Sequence, residues 1–170
     1  MPGDLTIVRC VFYNNNALEG SSIYYLETAV KTFILKSSSF YQNIALENGA
    51  ALFISGSTAN SLIENCVFIN NTSLNGGGAI YLQLPGNVTI TGCIFSINNA
   101  LDGSTLYYEE SFNTTIIQNC NFTNNSFQQN DNNFGSVIFL SNPGNLSIIH
   151  NNFENNKGIL GTCIYYSETS

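Results

Sequence analysis

The sequence predicts an all-β fold: a right-handed parallel β-helix, a solenoid of about six rungs of 27–28 residues with three short strands per rung. Three observations predict it. Two independent motifs recur together at a near-constant period. Short apolar runs rich in β-branched and aromatic residues are separated by Asn, Gly and Ser clusters. None of those runs is long enough to make a helix of ordinary length.

The stretch Asn60–Leu82 holds one complete copy of both motifs. The first motif is Ile63-x-x-Cys66-x-Phe68-x-x-Asn71, and it recurs at Ile7/Cys10/Phe12/Asn15, Leu35/Ser38/Phe40/Asn43, Ile90/Cys93/Phe95/Asn98, Ile117/Cys120/Phe122/Asn125 and Ile148/Asn151/Phe153/Asn156. The Phe-to-Phe steps are 28, 28, 27, 27 and 31 residues. The second motif starts at Gly20, Gly49, Gly77, Gly103, Gly135 and Gly161. An aliphatic residue follows three positions on (Ile23, Leu52, Ile80, Leu106, Ile138, Ile164), and an aromatic one later: Tyr24, Phe53, Tyr81, Tyr107, Phe139, Tyr165.

Three such strands cannot bury an apolar face alone. Stacked units can, with like residue over like at about 4.8 Å per rung, giving a rod on the order of 29 Å long. Strand alternation then sets the phase. The Ile, Cys/Ser/Asn and Phe columns point inward, as does the aliphatic column of the second motif. The residues before the Cys column (Arg9, Ser37, Asn65, Gly92, Asn119, His150) face out or form a bend. Alternation puts the aromatic column on the outside as a stack of rings, the alternative being an inward placement, because these runs are apolar on both faces.

The Asn column Asn15, Asn43, Asn71, Asn98, Asn125, Asn156 sits at the turn after the Phe. Asn tolerates the left-handed region there. Its amide both donates and accepts, so stacked copies read as an asparagine ladder. Cys10, Cys66, Cys93 and Cys120 share one inward column and are expected to be small apolar core residues with free thiols, the alternative being a disulfide between adjacent rungs among Cys66, Cys93 and Cys120; Cys163 lies in another strand. The longest loop, Ser126–Phe134, includes Asn130-Asp131-Asn132 but lacks the spaced oxygen ligands of a Ca²⁺ loop. No cofactor and no metal is expected.

The paired motifs resemble the repeat of the chlamydial polymorphic outer-membrane proteins, pectin-lyase-like β-helices defined by FxxN and GGA[ILV]. Phe-x-x-Asn is matched in all six copies, and Gly77-Gly78-Ala79-Ile80 matches the second motif in full. The resemblance implies an extracellular, non-catalytic rod.

Composition bounds the partners. Four Lys and Arg against eleven Asp and Glu, a net charge of −7, argue against nucleic acid and anionic membrane. No apolar run of membrane-spanning length occurs, so no membrane insertion is expected. Met1–Asp4 does not read as a signal peptide, yet Asn-x-Ser/Thr sequons stand at Asn70, Asn71, Asn87, Asn113, Asn121, Asn124 and Asn145. Asn87, Asn113 and Asn145 read as one exposed column before the first strand, a stripe of N-linked glycans on a secreted, cell-surface protein, with Asn121 a further acceptor. Residues 1–170 are then a single β-helix domain, expected to be an excerpt of a longer array or one subunit of a fibre.

The sequence does not read as an enzyme. A polysaccharide lyase needs a carboxylate cluster for Ca²⁺ and a cationic base, and Arg9 is the only arginine. A hydrolase needs facing carboxylates. Glu19 and Glu47 share a loop column that reads as a solvated edge. Lys36 and Glu64 read as a surface ion pair, and His150 has no nucleophile beside it. The leading expectation is a structural protein whose copies, or further repeats of the same chain, stack end to end into a filament. The alternative is an adhesin or carbohydrate-binding rod that uses the aromatic column, and the least favoured is a polysaccharide lyase or hydrolase.

Overall fold

A computed structural model describes residues 4–26, 31–56, 60–109, 113–128 and 136–168. Every element among them is a β-strand. The strands form four parallel sheets, three of six strands and one of five, each containing one strand per turn of the chain. The expected three strands per rung are therefore four.

The first sheet holds Leu5–Val8, Thr32–Lys36, Asn60–Glu64, Asn87–Thr91, Thr114–Gln118 and Asn145–Ile149. The second holds Val11–Tyr13, Ser39–Tyr41, Val67–Ile69, Ile94–Ser96, Asn121–Thr123 and Asn152–Glu154. The third, which the sequence did not announce, holds two-residue strands: Asn16–Ala17, Ile44–Ala45, Thr72–Ser73, Asn99–Ala100 and Ser126–Phe127. Two residues are too few to show an alternation. The fourth holds Ile23–Leu26, Leu52–Ser55, Ile80–Gln83, Leu106–Glu109, Ile138–Ser141 and Ile164–Ser167.

Register puts each motif residue over its counterpart. Phe12, Phe40, Phe68, Phe95, Phe122 and Phe153 pair in turn through the second sheet. Their rings stack at 4.7–4.9 Å with planes within 8° of parallel. That spacing is the inter-strand distance, so the backbone ladder imposes the stack. Leu35, Ile63, Ile90 and Ile117 of the first sheet and Leu52, Ile80, Leu106 and Ile138 of the fourth complete one buried core.

Left-handed backbone folds the rung at several bends, two of which flank the second sheet. Arg9, Ser37, Asn65, Gly92, Asn119 and His150 turn the chain from the first sheet to the second, as expected for that polar column. The second turn is not made by the ladder Asn, as expected, but by the residue before it: Asn14, Gln42, Asn70, Ile97, Asn124 and Asn155, all with φ of 53–57°. A third left-handed position explains the repeated glycine. Gly20, Gly49, Gly77, Gly103 and Gly161 have φ of 51–66°, and a Cβ on any of them would collide with the carbonyl oxygen three residues on. Gly135 lies outside the described residues.

Candidate functional site

The side chains singled out by the repeat fall into two inward ladders and one outer stack. Asn43, Asn71, Asn98 and Asn125 are fully buried. Asn71 shows the pattern. Its Oδ1 accepts the Asn43 N–H at 3.1 Å and the Asn43 Nδ2 at 2.8 Å. Its Nδ2 donates to the Phe40 carbonyl at 3.1 Å and to Asn98 Oδ1 at 3.0 Å. The same four bonds recur around Asn98 and Asn125. The column extends to the half-buried Asn15 and Asn156, so the ladder runs through all six copies. Every donor and acceptor of the buried amides is used, which leaves nothing for a ligand.

The Cys/Ser/Asn column is also a hydrogen-bond ladder rather than only a set of small apolar residues. The Cys66 N–H donates to Cys93 Sγ and the Cys93 N–H to Cys120 Sγ, both at 3.4 Å. The Cys10 N–H donates to Ser38 Oγ at 3.1 Å, and the Cys120 N–H to Asn151 Oδ1 at 2.8 Å. Residues of three types thus fill one role, because each offers an acceptor to the rung before it. All five cysteines are free thiols, with Cys66, Cys93 and Cys120 buried and Cys163 half-buried, whereas Cys10, expected in the core, is exposed in the first described rung. Hydrogen bonds with Cys120 and Cys66, together with burial, push the Cys93 pKa up and hold it neutral.

The aromatic column stacks as expected, with centroids 4.6–5.3 Å apart from Tyr24 to Tyr165. It lies outside the core cluster formed by its neighbours Leu52, Ile54, Ile80 and Leu82. It is nevertheless not an open platform. Phe53, Tyr81 and Phe139 are only 3%, 7% and 6% exposed. The glycine-bearing turn lies over the ring edges, and a Cβ on Gly76 would touch both Tyr81 and Tyr107. The Tyr81 hydroxyl donates to Glu109 Oε2 at 2.7 Å. Burial, reinforced by Glu109, raises the Tyr81 pKa, and burial beside Glu109 and Asp102 pushes Tyr107 up to about 12.

The sequon column is corrected in register. Asn87 stands over Asn60, and Asn145 pairs with Thr114, so Asn87 and Asn145 share a column while Asn113 precedes it by one residue. All three are exposed, Asn121 is half-buried, and Asn71 is sealed in the ladder. Asn113 Nδ2 donates to the Pro85 carbonyl at 3.3 Å.

Among the described residues one ion pair joins charged side chains. Lys36 Nζ and Glu64 Oε2 meet at 2.7 Å on the outer face of the first sheet, as expected. Glu19 Oε1 accepts from Asn48 Nδ2 at 3.4 Å. Among the described residues, no group of three or more His, Cys, Asp or Glu side chains converges on a metal position. Asn130-Asp131-Asn132 lies outside those residues.

The sequence reading missed one feature, an open cleft of about 400 Å³ lined by Tyr13, Tyr41, Gln42, Ile69, Asn70 and Ile97. No single rung carries its lining, so no motif marks it.

A family model described as a right-handed β-helix region matches residues 2–170, nearly the whole chain. The chain belongs to the right-handed β-helix family. No curated protein and no solved structure matches this β-helix.

Proposed function

We infer that this β-helix is a non-enzymatic, extracellular structural rod, N-glycosylated on its exterior, whose rungs continue end to end into neighbouring copies or into further repeats. The observation that carries the reading is the polarity of the ladders. Each rung donates its ladder N–H and Nδ2 to the Oδ1 of the next rung. Asn43, Asn71 and Asn98 repeat this one-way pattern, so every rung presents donors on one side and an acceptor on the other, and a further rung continues the ladder. Such a head-to-tail contact does not close on itself, and it propagates as a filament.

The core supports the same reading. The Phe rings stack at 4.7–4.9 Å from rung to rung, a spacing that a further rung repeats. The exposed sequons Asn87, Asn113 and Asn145 support a secreted location, and the FxxN/GGAI pattern supports kinship with surface rods of the polymorphic outer-membrane type. A non-enzymatic role is supported by carboxylates such as Glu64 and Glu109, which are engaged by Lys36 and Tyr81.

The test is residues 1–170 expressed alone and followed by sedimentation velocity and electron microscopy across a concentration series. Filaments or growing oligomers are expected. A species that stays monomeric at high concentration overturns the stacking, and cleavage of a uronate polymer by that preparation overturns the non-enzymatic role. In protein from its native source, peptide mass mapping should find glycan on Asn87 or Asn145 and none on Asn71. Unmodified sequons there remove the secretory reading.

A further inference from the structure

Buried hydroxyls in this rod have partners as a rule. Ser38, Ser73 and Thr115 are buried, and their hydroxyls bond to the Lys36 carbonyl, the Gly76 carbonyl and the Tyr108 hydroxyl. The buried ladder amides are bonded too. Among the described residues, three buried side-chain oxygens break the rule: Ser104 Oγ, Thr105 Oγ1 and Ser136 Oγ. All three residues are fully buried.

The three are not scattered. Ser104 and Thr105 are consecutive, and they lead into the fourth-sheet strand Leu106–Glu109. Ser136 stands in register with Ser104 on the next rung, and the Ser104 N–H donates to the Ser136 carbonyl at 2.7 Å. The hydroxyls therefore share one interior corner, where the chain passes from the third sheet to the fourth, on two successive rungs.

Packing does not ask for hydroxyls there. The same two positions hold Ala50 and Ala51 on the second rung, and Gly78 and Ala79 on the third. Val137 takes the place of Thr105 on the fifth. Methyl groups thus fill the corner without any polar atom. At the third rung it is closed: a Cβ on Gly78 would collide with the carbonyl oxygens of Ser104 and Asn99. The facing third-sheet column is small as far as Ala100, and then Phe127 stands in register with it. The small-residue packing of the corner ends at the rung where the hydroxyls gather. A buried hydroxyl without a partner is destabilising, and here that cost falls three times in one place. Three such groups together match an internal water, which takes about three hydrogen bonds.

We propose that this corner binds an ordered internal water that bridges Ser104 Oγ, Thr105 Oγ1 and Ser136 Oγ across the fourth and fifth rungs. Water both donates and accepts, so hydroxyls that do not bond to one another are satisfied through it. None of the three side chains is charged, which favours a neutral guest over a cation. The site lies inside the rod, and it holds whether or not the rods stack or carry glycans.

Two measurements on the 170-residue chain test it: a crystal structure at a resolution that shows ordered water, and thermal unfolding of Ser104→Ala, Thr105→Val and Ser136→Ala. Water density is expected about 2.8 Å from at least two of the three oxygens. Each variant should lower the Tm by about 2–4 °C, because the remaining hydroxyls lose part of their shared network. Thr105→Val combined with Ser136→Ala should cost less than the sum of the two, as expected of groups that share one partner. A dry corner overturns the proposal, as does one in which the hydroxyls bond only to protein atoms or hold a metal ion. An unchanged or raised Tm overturns it equally, since removing unpaired hydroxyls from a core does not destabilise it.

Discussion

The two inward ladders occupy equivalent places, each just after a left-handed bend, yet one is Asn in every copy and the other is Cys, Ser or Asn. The difference is a count of hydrogen bonds. At the second bend the side chain must accept two bonds and donate two, to the previous Phe carbonyl and to the next rung. Only a primary amide on a short stem does this. At the first bend one acceptor for the preceding N–H is enough, and one donor reaches a nearby carbonyl. Cys93 Sγ lies 3.4 Å from the Thr91 carbonyl, and Ser38 Oγ lies 2.9 Å from that of Lys36. Asn151, whose Nδ2 reaches the Ile117 carbonyl at 2.8 Å, shows that an amide fits here too without being required. What fixes a residue in a solenoid is the number of partners its neighbours leave unsatisfied.

Substitutions can break this comparison. Asn98→Ala removes all four side-chain bonds inside a buried column and leaves the Asn71 backbone N–H unpaired. The expected loss is about 4 kcal/mol, read by urea unfolding. A loss below about 1 kcal/mol would show that water replaces the ladder. Cys93→Ala orphans one N–H, that of Cys66, and should cost about 2 kcal/mol; Cys93→Ser keeps an acceptor and should cost less than half as much. Equal costs would mean that the column is packing alone.

Ile97→Asn should stabilise by about 1 kcal/mol, because it relieves the left-handed strain without touching either ladder. The smallest effect belongs to the outer stack. Burial raises the Tyr107 pKa to about 12, above the ordinary tyrosine value near 10. The neutral phenol is thus favoured in the folded state, and that contribution is whole below about pH 10 and is lost as pH rises toward 12. Tyr107→Phe should flatten the alkaline decline in Tm. An unchanged decline would place the titration elsewhere.

The sequence by itself determined the repeat, the two motif columns, the Asn ladder and the glycines. A translation of 27–28 residues sets each residue on its counterpart, so column identity is a one-dimensional property that can be read from spacing. Other features depended on the shape of the rung, which no column shows. The third sheet was hidden in two-residue strands, and the left-handed residue fell one place before the Asn. Asn113 slipped one place out of register with Asn87 and Asn145. Alternation sets Phe53 and Tyr81 apart from the core cluster, but only the turn at Gly76 decided that they are covered. The cleft was the least legible feature, because its wall is made of residues 13, 41, 69 and 97, each unremarkable in its own rung. Spacing along the chain fixes which residues stack, whereas the path of the turns between sheets decides which outer faces are covered, as at Gly76 over Tyr81 and Tyr107.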